Sequence, residues 1–299
     1  MFGSDLLQVV LSGIALGGTY TLLALGMFVT YAASRAMNFG QGDFLAVAAF
    51  LGMAAMTIGI SGAVAFVGVC AAVAALAMAV ERIAIRPLER RGDGESLNVG
   101  WILTTLGFGL MLQNVITIVW GKSRYYSPPL FTSKNLAPLH VFGAALQVDE
   151  LIVAAVSLAA VAGFYFALNR TNWGRNLAAV SFDPATASLL GIDVRRTITI
   201  AYAIMGAATA AGGVLVGPLG TVQSHMGPLF LVKSFSVVAV GGLVNPLGVL
   251  IAGFGFGVVE ALSNFFDSTF GDLYPFLIVF GCLIVWPTGL FKKRLSDVR

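Results

Sequence analysis

Charge is what this sequence has least of. Only 10% of its 299 residues are Asp, Glu, Lys or Arg, against about 25% in an ordinary soluble domain. A chain so poor in ions cannot cover itself with a hydrated surface, which excludes a soluble globular protein. Cysteine is nearly absent as well. Cys70 and Cys282 both fall inside apolar runs, so neither a disulfide framework nor a metal site is expected. The two histidines, His140 and His225, are far apart and suggest no proton relay. The opening `MFGSDLLQ` has no basic segment and does not read as a cleaved signal peptide. A nucleotide-binding P-loop is also missing. The only Gly-Lys-Ser is Gly121-Lys122-Ser123, and the earlier glycine of that motif would fall at Ile116.

What remains is apolar: 58% hydrophobic residues and a mean hydropathy of +0.90. Several windows hold about 17–25 uncharged apolar residues, enough to cross a bilayer core as helix. Because these runs are continuous and do not alternate, a β-barrel is excluded. The expected fold is all-α, a polytopic helical bundle of about eight to ten spans forming one transmembrane domain over 1–299. The spans read as Leu6–Tyr31, Phe44–Ile60, Ala63–Val80, Val99–Val119, Leu151–Leu168, Thr197–Leu215, Leu229–Val244, Leu247–Phe265 and Tyr274–Leu290. The second, third and seventh read as short or glycine-interrupted, so some are candidates for re-entrant segments. Glycine, at 36 residues, suits helices that pack closely where lipid offers no hydrophobic drive.

Basic residues set the expected orientation. Arg82, Arg86, Arg90 and Arg91 form one cluster, Arg170, Arg175, Arg195 and Arg196 a second, and Lys292, Lys293, Arg294 and Arg299 a third; with Arg35 these are thirteen of the 17 Lys and Arg. The positive-inside rule puts all three clusters in the cytoplasm. The N-terminus is then outside, the C-terminus cytoplasmic, and the loop 120–150 extracytoplasmic, with a small hairpin expected around Gly143. The net charge of +3 needs no nucleic acid to explain it.

Between two apolar runs lies the polar stretch `GRNLAAVSFDPATASLLGID`, cytoplasmic in this topology. Asp183 suits an N-cap, Pro184 the first helical position, and Gly191 a left-handed C-terminal stop. A helix of about seven residues results, too short to be stable alone. Its alanine-rich face suits insertion into a groove.

At this stretch a resemblance emerges. `TNWGRNLAAVSFDPATASLLGI` resembles the cytoplasmic coupling loop of permease subunits of the branched-chain amino acid type of ABC importer. `LSGIALGGTYTLLALGMFVTYAASRAMNFGQGDFLAVAAFLG`, `ERIAIRPLER` with `ILTTLGFGLMLQN`, and `VVAVGGLVNPLGVLIAGFGFGVVEAL` resemble further family segments in the same order. Two departures stand out. Ala178 and Ala179 occur where an arginine is usual, and `GQGDF` where `AHGEF` is frequent.

The resemblance implies a bacterial inner-membrane complex. Its other members would be a second, paralogous permease chain, two ATP-binding subunits that carry ATP and Mg, and a periplasmic solute-binding protein. This chain would then be no enzyme and would hold no cofactor. It also implies that Gly174, Arg175, Asp183, Pro184, Ala187 and Gly191 belong to the segment that docks on the ATP-binding subunit. Alternatives within the family are import of urea, short amides or aromatic acids. Outside it stand an ATP-independent secondary transporter and a non-transporting scaffold.

Polar groups inside a membrane are costly and mark candidate sites. Asn38, Gln41 and Asp43 cluster in `MNFGQGDF`, where Gly40 and Gly42 break the helix; such breaks build transport sites, although Asp43 also suits a cap. Glu260 and Asn264, four apart, share a helix face, as glue or as pathway lining. Gln113 and Asn114 complete the candidate translocation path. Pro246 marks a break between two spans.

Overall fold

A computed structural model describes residues 2–87, 97–128, 139–141, 144–146, 148–242, 245–286 and 289–290. Arg90, Arg91, Lys134, Gly143 and the basic residues at 292–299 lie outside that set. The helices are α1 (Phe2–Ser34), α2 (Gln41–Thr57), α3 (Gly62–Val80), α4 (Leu97–Trp120), α5 (Val148–Arg170), α6 (Asn172–Phe182), α7 (Pro184–Leu189), α8 (Val194–Leu219), α9 (Gly227–Gly241), α10 (Pro246–Phe266) and α11 (Leu273–Val285). A π-helical turn, Glu81–Ile85, prolongs α3. The strands are β1 (Tyr125–Tyr126), β2 (Leu139–Val141), β3 (Ala144–Leu146) and β4 (Thr221–Val222), with β1 on β4 and β2 on β3, both antiparallel.

Six of these helices are long and apolar enough to cross a membrane: α1, α3 with its π turn, α4, α5, α8 and α10. The shorter apolar helices α2, α9 and α11 fit between them. Among the described residues these nine apolar helices make up a bundle with two ends. At one end Arg35 reaches Ser181, and Arg86 reaches Thr199; this is the arginine end. At the other, β1 meets β4; this is the strand end.

Two boundaries differ from expectation. The third pass is not short, because the π turn continues it to Ile85, giving 24 residues. The last pass ends at Val285 instead of Leu290. Pro246 opens α10, where its missing N–H costs nothing, and Asn245 caps that end by accepting from Leu247 N at 3.1 Å.

The bundle is built around α1 and α8. Of their apolar windows, 67% and 78% are buried, against 17% for α5. Tyr20, Leu22, Met27, Phe44, Tyr202 and Met205 are among the buried residues of the core around them. Small residues carry the closest approaches. Gly13 and Gly17 of α1 lie against Gly253 and Gly257 of α10, and a Cβ at Gly257 would stand 2.3 Å from the Gly17 Cα. The contacts run antiparallel, with Gly253 at Thr21 and Gly257 at Gly17.

Candidate functional site

Three assemblies of polar residues stand out, and the first is the segment 171–193 at the arginine end. Thr171 caps α6 by accepting from Gly174 N at 3.2 Å. Gly174 sits so tightly in the turn from α5 that a Cβ there would meet Leu168 O at 1.9 Å. Arg175 is exposed and donates to Asn172. Asp183 caps α7, accepting from Ala185 N at 2.9 Å and from the Thr186 hydroxyl. Those two donors, the hydroxyl foremost, hold its carboxyl below the usual carboxylate range, so it is ionised at neutral pH.

Pro184 opens the six residues of α7, and Ala187 is its buried residue. Gly191 takes a φ of +83° and ends the helix, with Ile192 N donating to Ala187 O at 3.1 Å. The next cap follows at once, since Asp193 accepts from Arg196 N at 2.9 Å.

One helix of this unit was not expected. α6 precedes α7, and its signal was present as Thr171 followed by Gly174, Leu177 and Val180, which are buried at helical spacing. The unit packs Trp173 and Leu177 against the bundle and turns two large apolar side chains outward: Phe182 is 89% exposed and Leu189 87%. It is tied to the bundle by Arg35, whose guanidinium donates to Ser181 O at 2.6 Å. Nearby, buried Glu81 pairs with Arg86 at 3.3 Å and accepts from the Thr199 hydroxyl at 3.1 Å. This fastens the π turn to α8.

The second assembly is the break between α1 and α2. Gln41, the first residue of α2, donates to Leu23 O at 2.8 Å and to Thr209 Oγ1 at 2.9 Å. Leu23 lies eleven residues before the end of α1, roughly 16 Å back at 1.5 Å per residue. Residues 35–40 therefore carry the chain back into the bundle before α2 begins. The Asn38 carbonyl side-chain oxygen accepts from Gly40 N, and Phe39 N donates to Thr105 Oγ1. Asp43 is packed against two glycines: a Cβ at Gly109 or at Gly227 would lie 2.5 Å from one of its carboxylate oxygens. Asn38, Gln41 and Asp43 are all buried, and Asn38 Nδ2, Gln41 Oε1 and Asp43 Oδ1 have no hydrogen-bond partner among the described residues.

The third assembly is a charged knot. Lys233 of α9, buried, pairs with Glu260 of α10 at 2.8 Å and with Asp272, at the start of α11, at 3.1 Å. Tyr20 of α1 donates to the same Glu260 oxygen at 3.0 Å. Lys233, Tyr20 and Asp272 come from separate stretches of the sequence, and nothing local announces that they meet. The other candidates stay apart. Asn264 is exposed one turn beyond Glu260. Gln113 is half-buried, and Asn114 is exposed and bonded to its own helix at Leu110 O, 2.7 Å away.

Comparison with known proteins decides what carries these assemblies. A family model described as "Branched-chain amino acid transport system / permease component" matches residues 9–286. The chain belongs to this family. The permease is 28% identical to the high-affinity branched-chain amino acid transport system permease protein LivH of Salmonella typhimurium, over 96% of each chain. LivH of Escherichia coli K12 matches at the same identity and coverage, and BraD of Pseudomonas aeruginosa at 26% identity, again over 96% of each. Among solved structures, PsaBC from Streptococcus pneumoniae in complex with Fab aligns over 93% of this chain and 89% of that one, at 14% identity and a TM-score of 0.49. The permease is thus a multi-pass membrane component of an ABC transporter, a pore-forming part and not an enzyme.

Proposed function

We propose that this permease forms one half of the membrane pathway of an ATP-driven importer for branched-chain or related small amphipathic amino acids, and that the 172–191 segment couples it to an ATP-binding subunit. One observation carries the coupling role. Two helices too short to persist alone are nevertheless capped at every end, and they present Phe182 and Leu189 outward. Exposed apolar side chains on a capped, protruding unit are what a groove in a partner would receive.

The arginine end is the cytoplasmic one in this reading, because Arg35, Arg86, Arg170, Arg175, Arg195 and Arg196 gather there. The strand end faces the periplasm and a soluble binding protein. ATP and Mg are held by two ATP-binding subunits, and a second, paralogous permease chain completes the pathway. Substrate class is supported by the named substrates of LivH and BraD and by their coverage of almost the whole chain. The re-entrant residues Asn38, Gln41 and Asp43 form the inner wall of the path, since each keeps one polar atom without a protein partner.

Replacement of Gly191 by proline tests the coupling role. Proline holds φ near −65° and cannot take the +83° of this turn. Gly191→Pro abolishes leucine uptake into cells while the chain reaches the membrane at its normal level. Uptake preserved at normal expression contradicts the assignment.

A further inference from the structure

A half-open cavity of about 270 Å³ lies between α9, α10 and α11, with almost wholly apolar walls and with exposed Ile251 and Ile278 at its mouth. Val237, Val240, Phe256, Val259, Pro275 and Val279 are among the residues that form it. The residues of the charged knot do not line it but lie about one helical turn beyond it. Val237 follows Lys233 by four residues on α9, Phe256 precedes Glu260 by four on α10, and Pro275 follows Asp272 by three on α11. On all three helices the cavity is thus displaced about one turn toward the arginine end. A 150 Å³ cavity already admits benzene, so this one has room for a branched four-carbon side chain.

The knot is unfinished as a set of bonds. Lys233 is shared between two carboxylates, Glu260 at 2.8 Å and Asp272 at 3.1 Å, and the Asp272 side chain is 65% exposed. Glu260 accepts from Lys233 and Tyr20 through Oε1 alone, and its buried Oε2 has no hydrogen-bond partner. A buried acceptor left in this state calls for a donor.

We infer that the knot and the cavity together form a recognition site for an amino acid with a branched apolar side chain. The ligand carboxylate replaces Asp272 on Lys233, and Asp272 turns to solvent. The ligand ammonium donates to Glu260 Oε2, and the side chain enters the cavity. The buried charges are then two positive and two negative. A lipid acyl chain fills the cavity equally well but leaves Glu260 Oε2 without a donor. The site rests on the proposed amino-acid substrate and names where the permease itself reads it.

The test uses the whole purified complex in lipid nanodiscs, with a leucine analogue carrying a side-chain diazirine as the probe. Irradiation is expected to label peptides of α9, α10 and α11 that contribute to the cavity. Excess leucine suppresses the label; isopentylamine and isocaproate, which lack one charged end each, do not. Asp272→Asn, at the exposed position, raises labelling by up to about fivefold by removing the competitor for Lys233. Lys233→Met lowers it by about tenfold or more.

Label elsewhere in the complex overturns the site. So does label that Asp272→Asn leaves unchanged or reduces. Labelling of these helices by a diazirine-tailed phospholipid, insensitive to leucine, assigns the cavity to lipid and also overturns it. Leucine uptake by the same complex reconstituted in sealed proteoliposomes separates the two levels. Intact uptake with label elsewhere removes this site alone, whereas absent uptake by a wild-type complex removes the substrate reading beneath it.

Discussion

The 172–189 unit and the α1–α10 seam are built on opposite rules. In the seam, Gly13 and Gly17 meet Gly253 and Gly257 so closely that a single added carbon has nowhere to go. The unit at the arginine end is two short helices held by the Thr171 and Asp183 caps, the tight Gly174 turn and one arginine from α1, with Phe182 and Leu189 facing outward. One region resists deformation, and the other anchors one face through Leu177 and Val180 and keeps Phe182 and Leu189 free. A transporter driven from outside the membrane needs both: a lever a partner can grip, and a body stiff enough to move when gripped. Arg35 joins the two, since it ends α1 and holds Ser181.

The sharpest way to break this contrast is to widen the seam. Gly257→Leu forces a side chain into the Gly17 backbone, and no rotamer avoids it. The expected outcome is loss of folded chain, read as failure to recover monodisperse protein after detergent extraction. Recovery at wild-type yield shows that the seam is looser than its geometry. A much smaller effect is expected at the junction. Arg35 has a φ of 56°, so Arg35→Gly removes the guanidinium and suits the left-handed backbone. The chain still folds, while leucine transported per ATP hydrolysed falls by roughly two- to fivefold, the worth of one charge-assisted hydrogen bond near the surface. An unchanged ratio means that the lever reaches the core by another route.

Much of this organisation is legible in the sequence because it depends on short-range chemistry. Continuous apolar runs locate the six long apolar helices and the three shorter ones, and Asp183, Pro184 and Gly191 occupy the cap, first-turn and stop positions their side chains predict. Of the two glycines around Gln41, Gly40 precedes α2 at the break, whereas Gly42 lies inside the helix and lets the Gly227 backbone approach. The third pass reads as short only because a π turn was needed to continue it.

Long-range pairing is where sequence reasoning stops. Tyr20 and Glu260 are 240 positions apart, and no periodicity links them. Asp272 looks like an ordinary loop residue until α11 brings it to Lys233. Gln113, Asn114 and Asn264 carry the same composition signal as Asn38 and Gln41, yet they lie apart from the two buried assemblies. An amide in an apolar helix can be satisfied by the carbonyl four residues back, as Asn114 is at Leu110, so polarity alone does not distinguish a site from a local bond.

The account turns on the claim that the exposed apolar face of 172–189 is what the ATP-binding subunit holds. Leu189→Asp tests it most directly, because Leu189 is 87% exposed and its replacement disturbs nothing inside the bundle. The tagged variant is extracted in mild detergent, and its ATP-binding subunits are quantified against wild type. The account predicts that the chain accumulates normally and arrives largely without those subunits. Wild-type recovery of the ATP-binding subunits, with ATP-dependent leucine uptake unchanged, contradicts it.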